Sequence, residues 1–127
     1  MNELPQISDA EWQVMKVLWK RPRLTASEII KELKKSTKWS PKTIHTLINR
    51  LVKKGAVRAL KGSAFYEYYP LVAEDECVKK ETNTFLKKVY GGSLRMLIAN
   101  FIKDDKLSQD EINELKGILD EKTKNSR

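Results

Sequence analysis

WSPKTIHTLINRLVKKGAV, residues 39–57, carries the punctuation of one complete helix. Ser40 is a strong N-cap residue, and Pro41 suits the first helical position, where its missing amide proton costs nothing. Gly55 follows Lys54 as the closing residue. With Ile44 at zero and 100° per residue, Ile44, Leu47, Ile48 and Leu51 fall within about 100°, the width of a buried stripe. The opposite side holds Lys42, Thr46, Asn49 and Lys53, flanked by His45 and Arg50. No Asp or Glu occurs in the segment. A surface helix facing only water has no reason to exclude carboxylates, whereas one lying along phosphates does.

The flanking sequence gives this helix its context. Ser8-Asp9-Ala10-Glu11 is a capping box, with Ile7 and Trp12 placed for a hydrophobic staple. Met15, Leu18 and Trp19 continue that face until Arg21-Pro22 stops a first helix of roughly 8–20. Thr25-Ala26-Ser27-Glu28 repeats the box and opens a second helix, roughly 26–36, with Ile29, Ile30 and Leu33 apolar. After Gly55 the period changes. Val57–Lys61 and Ala64–Tyr69 flank Gly62-Ser63, which reads as a two-residue hairpin turn, and Pro70 ends the second strand. Three helices followed by a β-hairpin form a winged helix-turn-helix, expected over residues 1–72.

From Ala73 the chain is helical again. Glu74–Tyr90, Ser93–Ile102 and a segment opened by Leu107-Ser108-Gln109-Asp110-Glu111 are three amphipathic helices, separated by Gly91-Gly92 and Asp104-Asp105-Lys106. Lys122–Arg127 reads as a frayed tail. So small a unit buries little of its own surface. Phe85, Val89, Leu94, Leu97, Ile98, Ile112, Leu115 and Leu119 are therefore expected to pack on a second copy of the chain, with packing back onto the winged domain as the alternative. The fold class is mostly α: a winged helix-turn-helix domain, then a small three-helix dimerisation domain over 73–127.

Charge separates the two halves. The net charge of +8 lies wholly in residues 1–72, with 14 Lys/Arg against 6 Asp/Glu; residues 73–127 hold 11 of each. A localised excess of this kind points to a polyanion, and a basic surface kept for solubility is the competing explanation. In a recognition helix the N-terminal part meets the bases, which assigns Lys42, Thr43, His45 and Thr46 to that role. Asn49 can read adenine. Arg50, Lys53 and Lys54 are placed as phosphate contacts, and Arg58 and Lys61 as contacts of the wing. Thr25 and Ser27 serve mainly as helix caps.

Other classes find little support. His45 is the lone histidine, and no nucleophile–base pair, phosphate loop or metal-spaced cluster accompanies it. Cys77 is the lone cysteine and reads as a small buried hydrophobe. No apolar run approaches the roughly 20 residues of a membrane span, and the N-terminus lacks a signal-peptide core. A cytoplasmic, non-enzymatic protein without cofactor or metal is expected.

WSPKTIHTLINRLVKKGAV, with SDAEWQVMKVLW before it and YYPLV after it, resembles the penicillinase-repressor family, the BlaI/MecI type of bacterial transcription regulator. FLKKVYGGS, LIANF and LSQDEINELKGIL extend the resemblance over essentially the whole chain. It implies a homodimeric repressor of β-lactam resistance genes, bound to a palindromic operator with half-sites of TACA/TGTA type. It also implies induction by a protease of a β-lactam sensor pathway, which cuts the bond matching Asn100-Phe101. At His45 the methicillin-resistance repressors carry Arg, so the base contact there differs. The C-terminus lacks the cysteine cluster of copper-responsive relatives. A small-ligand-controlled winged-helix regulator and a protein-interaction adaptor are the alternatives.

Overall fold

The structure, a computed structural model, describes residues 3–125. Its elements run α1 (Asp9–Lys20), β1 (Leu24–Thr25), α2 (Ala26–Leu33), α3 (Pro41–Lys54), β2 (Val57–Lys61), β3 (Tyr66–Pro70), α4 (Glu74–Tyr90), α5 (Leu94–Lys103) and α6 (Gln109–Asn125). They form two compact units, Met1–Lys79 and Lys80–Arg127, with α4 passing from one to the other.

The first unit is a three-helix cluster against a three-stranded antiparallel sheet of order β1-β3-β2. Both expected capping boxes are present: Ser8 with Glu11, and Thr25 with Glu28. The core draws Val14, Met15 and Leu18 from α1, Ile29 and Leu33 from α2, and Ile44, Leu47, Ile48 and Leu51 from α3. Each such side chain contributes about 1.5–3 kcal/mol of transfer free energy. Cys77 also enters this core, so the compact unit extends past residue 72 into the first turns of α4. Trp19 stacks edge-on against Trp12 at 5.4 Å between centroids. Its indole N–H donates to the Val72 carbonyl at 2.9 Å, tying α1 to the segment after the sheet.

Four local expectations require correction. Helix α2 stops at Leu33 rather than near 36, because the ladder tightens there to three-residue turns, the Lys35 amide donating to the Glu32 carbonyl at 3.3 Å and the Ser36 amide to that of Leu33 at 3.1 Å. The hairpin loop has four residues, 62–65, since Lys61 pairs with Tyr66. Ala64 and Phe65 are thus loop, and Pro70 belongs to the strand opposite Val57. Strand β1 escaped notice because two residues show no periodicity; it exists only through pairing of Leu24 and Thr25 with Tyr68 and Glu67. Helix α6 continues through Asn125, so the expected tail at 122 is mostly helical, and residues 126–127 lie outside the described residues.

The second unit consists of the C-terminal part of α4 together with α5 and α6. Ser93 caps α5, and Ser108 forms a third capping box with Glu111. Phe85 and Tyr90 meet edge to face at 6.1 Å. Among its described residues none is buried. The three amphipathic stripes are present, but as a single copy they enclose no core.

Candidate nucleic-acid interface

Helix α3 displays the division that its period requires. Ser40 accepts the Thr43 amide at 3.2 Å, and Gly55 adopts φ +84°, a left-handed conformation that side chains rarely accept. Between these caps Ile44, Leu47, Ile48 and Leu51 are buried, while Lys42, Thr43, His45, Thr46, Asn49, Arg50 and Lys53 are all exposed. The buried stripe locks the rotation of the helix about its own axis. That lock turns the seven polar side chains outward as one surface.

Two of them are already partly engaged. The Thr46 hydroxyl donates to the Lys42 carbonyl at 3.0 Å, so it presents acceptor lone pairs and its methyl group outward. The Thr43 hydroxyl lies 3.1 Å from that of Ser40. The first turn of α3 holds no acidic residue. Its amide dipoles and its side chains therefore act with the same sign on an approaching anion.

Lys54 departs from the expected set. Its ammonium donates to Glu11 Oε1 at 2.5 Å and to the Gln6 carbonyl at 2.8 Å. Glu11 is 1% exposed and also accepts the Ser8 amide at 2.9 Å. Burial pushes the Glu11 carboxyl upward, but the Lys54 hydrogen bond, the Ser8 amide and the Lys54 charge outweigh it and hold the group below the usual carboxylate range. Lys54 is thus the counter-ion of a buried acid, joining the end of α3 to the start of α1. Its side chain nonetheless keeps 35% of its exposure.

The wing carries the remaining expected contacts. Arg58 and Lys61 are exposed on β2. Arg58 pairs with Tyr69, and the Arg23 guanidinium sits 5.8 Å over the Tyr69 ring, bracing the hairpin against the segment before β1. Sequence reasoning confined to α3 overlooked a wider signal. No carboxylate occurs between Glu32 and Glu67, a stretch with nine Lys/Arg. Lys34, Lys35 and Lys38, in the turn before α3, are exposed and extend the basic surface; Lys35 is shared with Glu32 at 3.2 Å. Among the described residues no group of His, Cys, Asp and Glu is placed to hold a metal, and no helix is long and apolar enough to cross a membrane.

In class, this is a winged helix-turn-helix protein, the architecture that lays its third helix along a DNA groove. Residues 7–121 match the family model described as penicillinase repressor. The chain is 46% identical to the penicillinase repressor of Bacillus licheniformis over 121 residues, 95% of this chain and 94% of that protein. It is 44% identical to the methicillin resistance regulatory protein MecI of Staphylococcus aureus strain N315, covering 95% and 98%. The solution structure of monomeric Bacillus licheniformis BlaI with the blaP half-operator superposes with a TM-score of 0.53 at 49% identity, over 60% of this chain and 93% of that one. The chain belongs to the penicillinase repressor family.

Proposed function

We propose that this chain is a transcriptional repressor of β-lactam resistance genes, that it binds a palindromic operator as a homodimer through α3 and the wing, and that proteolysis in the second unit relieves repression. The observation that carries the reading is the outward face of α3, seven donor-rich side chains with no carboxylate, held by a fully buried stripe. Lys42, Thr43, His45, Thr46 and Asn49 read bases; Arg50, Lys53, Arg58 and Lys61 engage phosphates. Thr46, with its hydroxyl proton turned inward, offers its methyl to a thymine methyl. His45 supplies a single hydrogen bond in place of a bidentate fork. On this reading the chain carries no catalysis of its own.

A contrast of variants tests the division of labour. Replacing Lys42 or Thr46 with Ala should reduce discrimination between operator and random duplex by about 1–3 kcal/mol. Lys53→Ala should weaken both duplexes alike and lower the salt slope by about one unit. Equal, uniform losses from all three would abolish the assignment of bases and phosphates.

Three stripes without a core support a second copy as the partner of the second unit. Phe85, Val89, Leu94, Leu97, Ile98, Ile112, Leu115 and Leu119 are the residues assigned to that contact. Asn100 and Phe101 lie within α5, and the Asn100 amide donates to the Tyr90 hydroxyl at 3.1 Å. A protease needs extended backbone, so cutting this bond requires local opening of α5. Replacing both residues with Ala should leave repression intact and prevent fragments from forming during β-lactam exposure. Normal fragmentation of that variant would move the cut elsewhere.

A further inference from the structure

The wing ends in a feature that the repressor reading has not used. Phe65 is 72% exposed, the most exposed of the large hydrophobic side chains among the described residues. Single exposed apolar residues are ordinary on protein surfaces. This one differs in its mounting and in its neighbours.

Its mounting is rigid. The loop 62–65 is closed by the Gly62 amide, which donates to the Phe65 carbonyl at 2.9 Å. A Cβ on Gly62 would stand 2.6 Å from that carbonyl oxygen, closer than atoms tolerate, so glycine is required for the closure. Below the loop, Lys61 pairs with Tyr66, and farther down Arg23 braces Tyr69. The phenyl ring therefore projects from a fixed backbone.

Its neighbours are cationic and hydroxylic. Lys61, Ser63 and Tyr66 flank it in sequence, and Arg58 is exposed farther down β2; one carboxylate, Glu67, lies against Gly62 at the base of the loop, so two cations stand against one acid. An anionic partner is favoured at this tip, and the ring requires that partner to offer apolar surface as well. Duplex DNA does so in its minor groove, where sugar edges and base steps accept apolar wedges. A protein surface would satisfy both only where acidic side chains frame an apolar patch, whereas every minor groove is lined by phosphates.

We infer that Phe65 is the apolar contact of the wing with DNA, packing in the minor groove beside the half-site that α3 reads. This rests on the repressor reading and adds to it a contact that is independent of charge. An apolar contact releases no counterion, whereas a lysine–phosphate contact does. The two residues at the wing tip thus have separable signatures.

The test measures binding of the full chain to the blaP half-operator duplex across a salt series, for the native protein, Phe65→Ala, Phe65→Leu and Lys61→Ala. Phe65→Ala is expected to weaken binding about ten-fold at every salt concentration, with the slope unchanged. Phe65→Leu should retain most of the affinity, and Lys61→Ala should lower the slope by about one unit. Thermal unfolding should be the same for both Phe65 variants, because the ring contributes nothing to the core. Native affinity in Phe65→Ala overturns the inference, as does a loss accompanied by a changed slope. Native DNA affinity with altered sedimentation also overturns it and identifies the tip as a protein contact. If the native chain binds with no salt dependence, the repressor reading itself fails.

Discussion

Lys54→Met is expected to destabilise the first unit by about 2 kcal/mol at neutral pH, and by much less in acid. The methionine keeps the aliphatic stem and removes the ammonium. Glu11, 1% exposed, then stays buried with only the Ser8 amide and hydroxyl as partners. Breaking a buried pair by removing one member costs about 3–5 kcal/mol, and the figure is reduced here because Lys54 retains 35% of its side-chain exposure. A loss of 2 kcal/mol corresponds to a melting-temperature drop of roughly 10 °C for a unit of this size.

The sign of the pH dependence follows from the direction of the shift. In the native chain the folded-state pKa of Glu11 lies below the ordinary value of a free glutamate. Its contribution is therefore fully present above that value and is lost as pH falls through the folded pKa. In the variant, burial still raises the carboxyl while the two lowering effects of Lys54 are gone. Protonating Glu11 then relieves the cost, so the difference between native and variant shrinks as pH falls through the raised pKa of the variant's carboxyl. Glu11→Ala should cost less than Lys54→Met at neutral pH, because the ammonium it strands can reach water. Calorimetry at two pH values decides the matter. A difference below 0.5 kcal/mol, or one equal at about pH 7 and pH 4, would mean that the pair is a surface contact in energetic terms.

Val89→Asp combined with Leu94→Asp is expected to weaken binding to a two-half-site operator at least 100-fold while leaving half-operator binding unchanged. Both side chains are more than half exposed, and no described residue of the second unit is buried. Carboxylates on those stripes would be desolvated without partners in a dimer and would cost nothing in a monomer. The first unit keeps its own core, so each copy should still fold and contact one half-site. In the proposed dimer, linkage supplies the remaining affinity, because the second half-site is met at high effective concentration. Sedimentation and a paired titration on half and full operators provide the readout. A variant that still sediments as a dimer, or that is monomeric yet binds the full operator normally, would remove dimerisation through this face from the mechanism.

What is legible in the sequence is local in origin. The span of α3 was legible because Ser40, Pro41 and Gly55 act within a few residues of themselves. Its apolar stripe was legible because a helix has one period. The hairpin loop was misjudged because the β-propensity of Phe65 is a local quantity, whereas the pairing of Lys61 with Tyr66 is set by the partner strand. The partner of Lys54 is hidden in the sequence for the same reason. Along the chain Lys54 is one more cation after Lys53, and Glu11 is 43 positions away.

The sequence by itself determined the order of elements, the caps, the polarity of each helix face and the confinement of positive charge to the first half. All of these depend on interactions within one turn or one strand, or on simple counts. Only the tertiary structure decided which cations are available to a ligand, which residue tips the wing, and that the last three helices lack a core of their own. These depend on long-range pairing and burial, where one distant carboxylate engages a lysine that still reaches the surface and one glycine amide closes the loop that carries a phenyl ring.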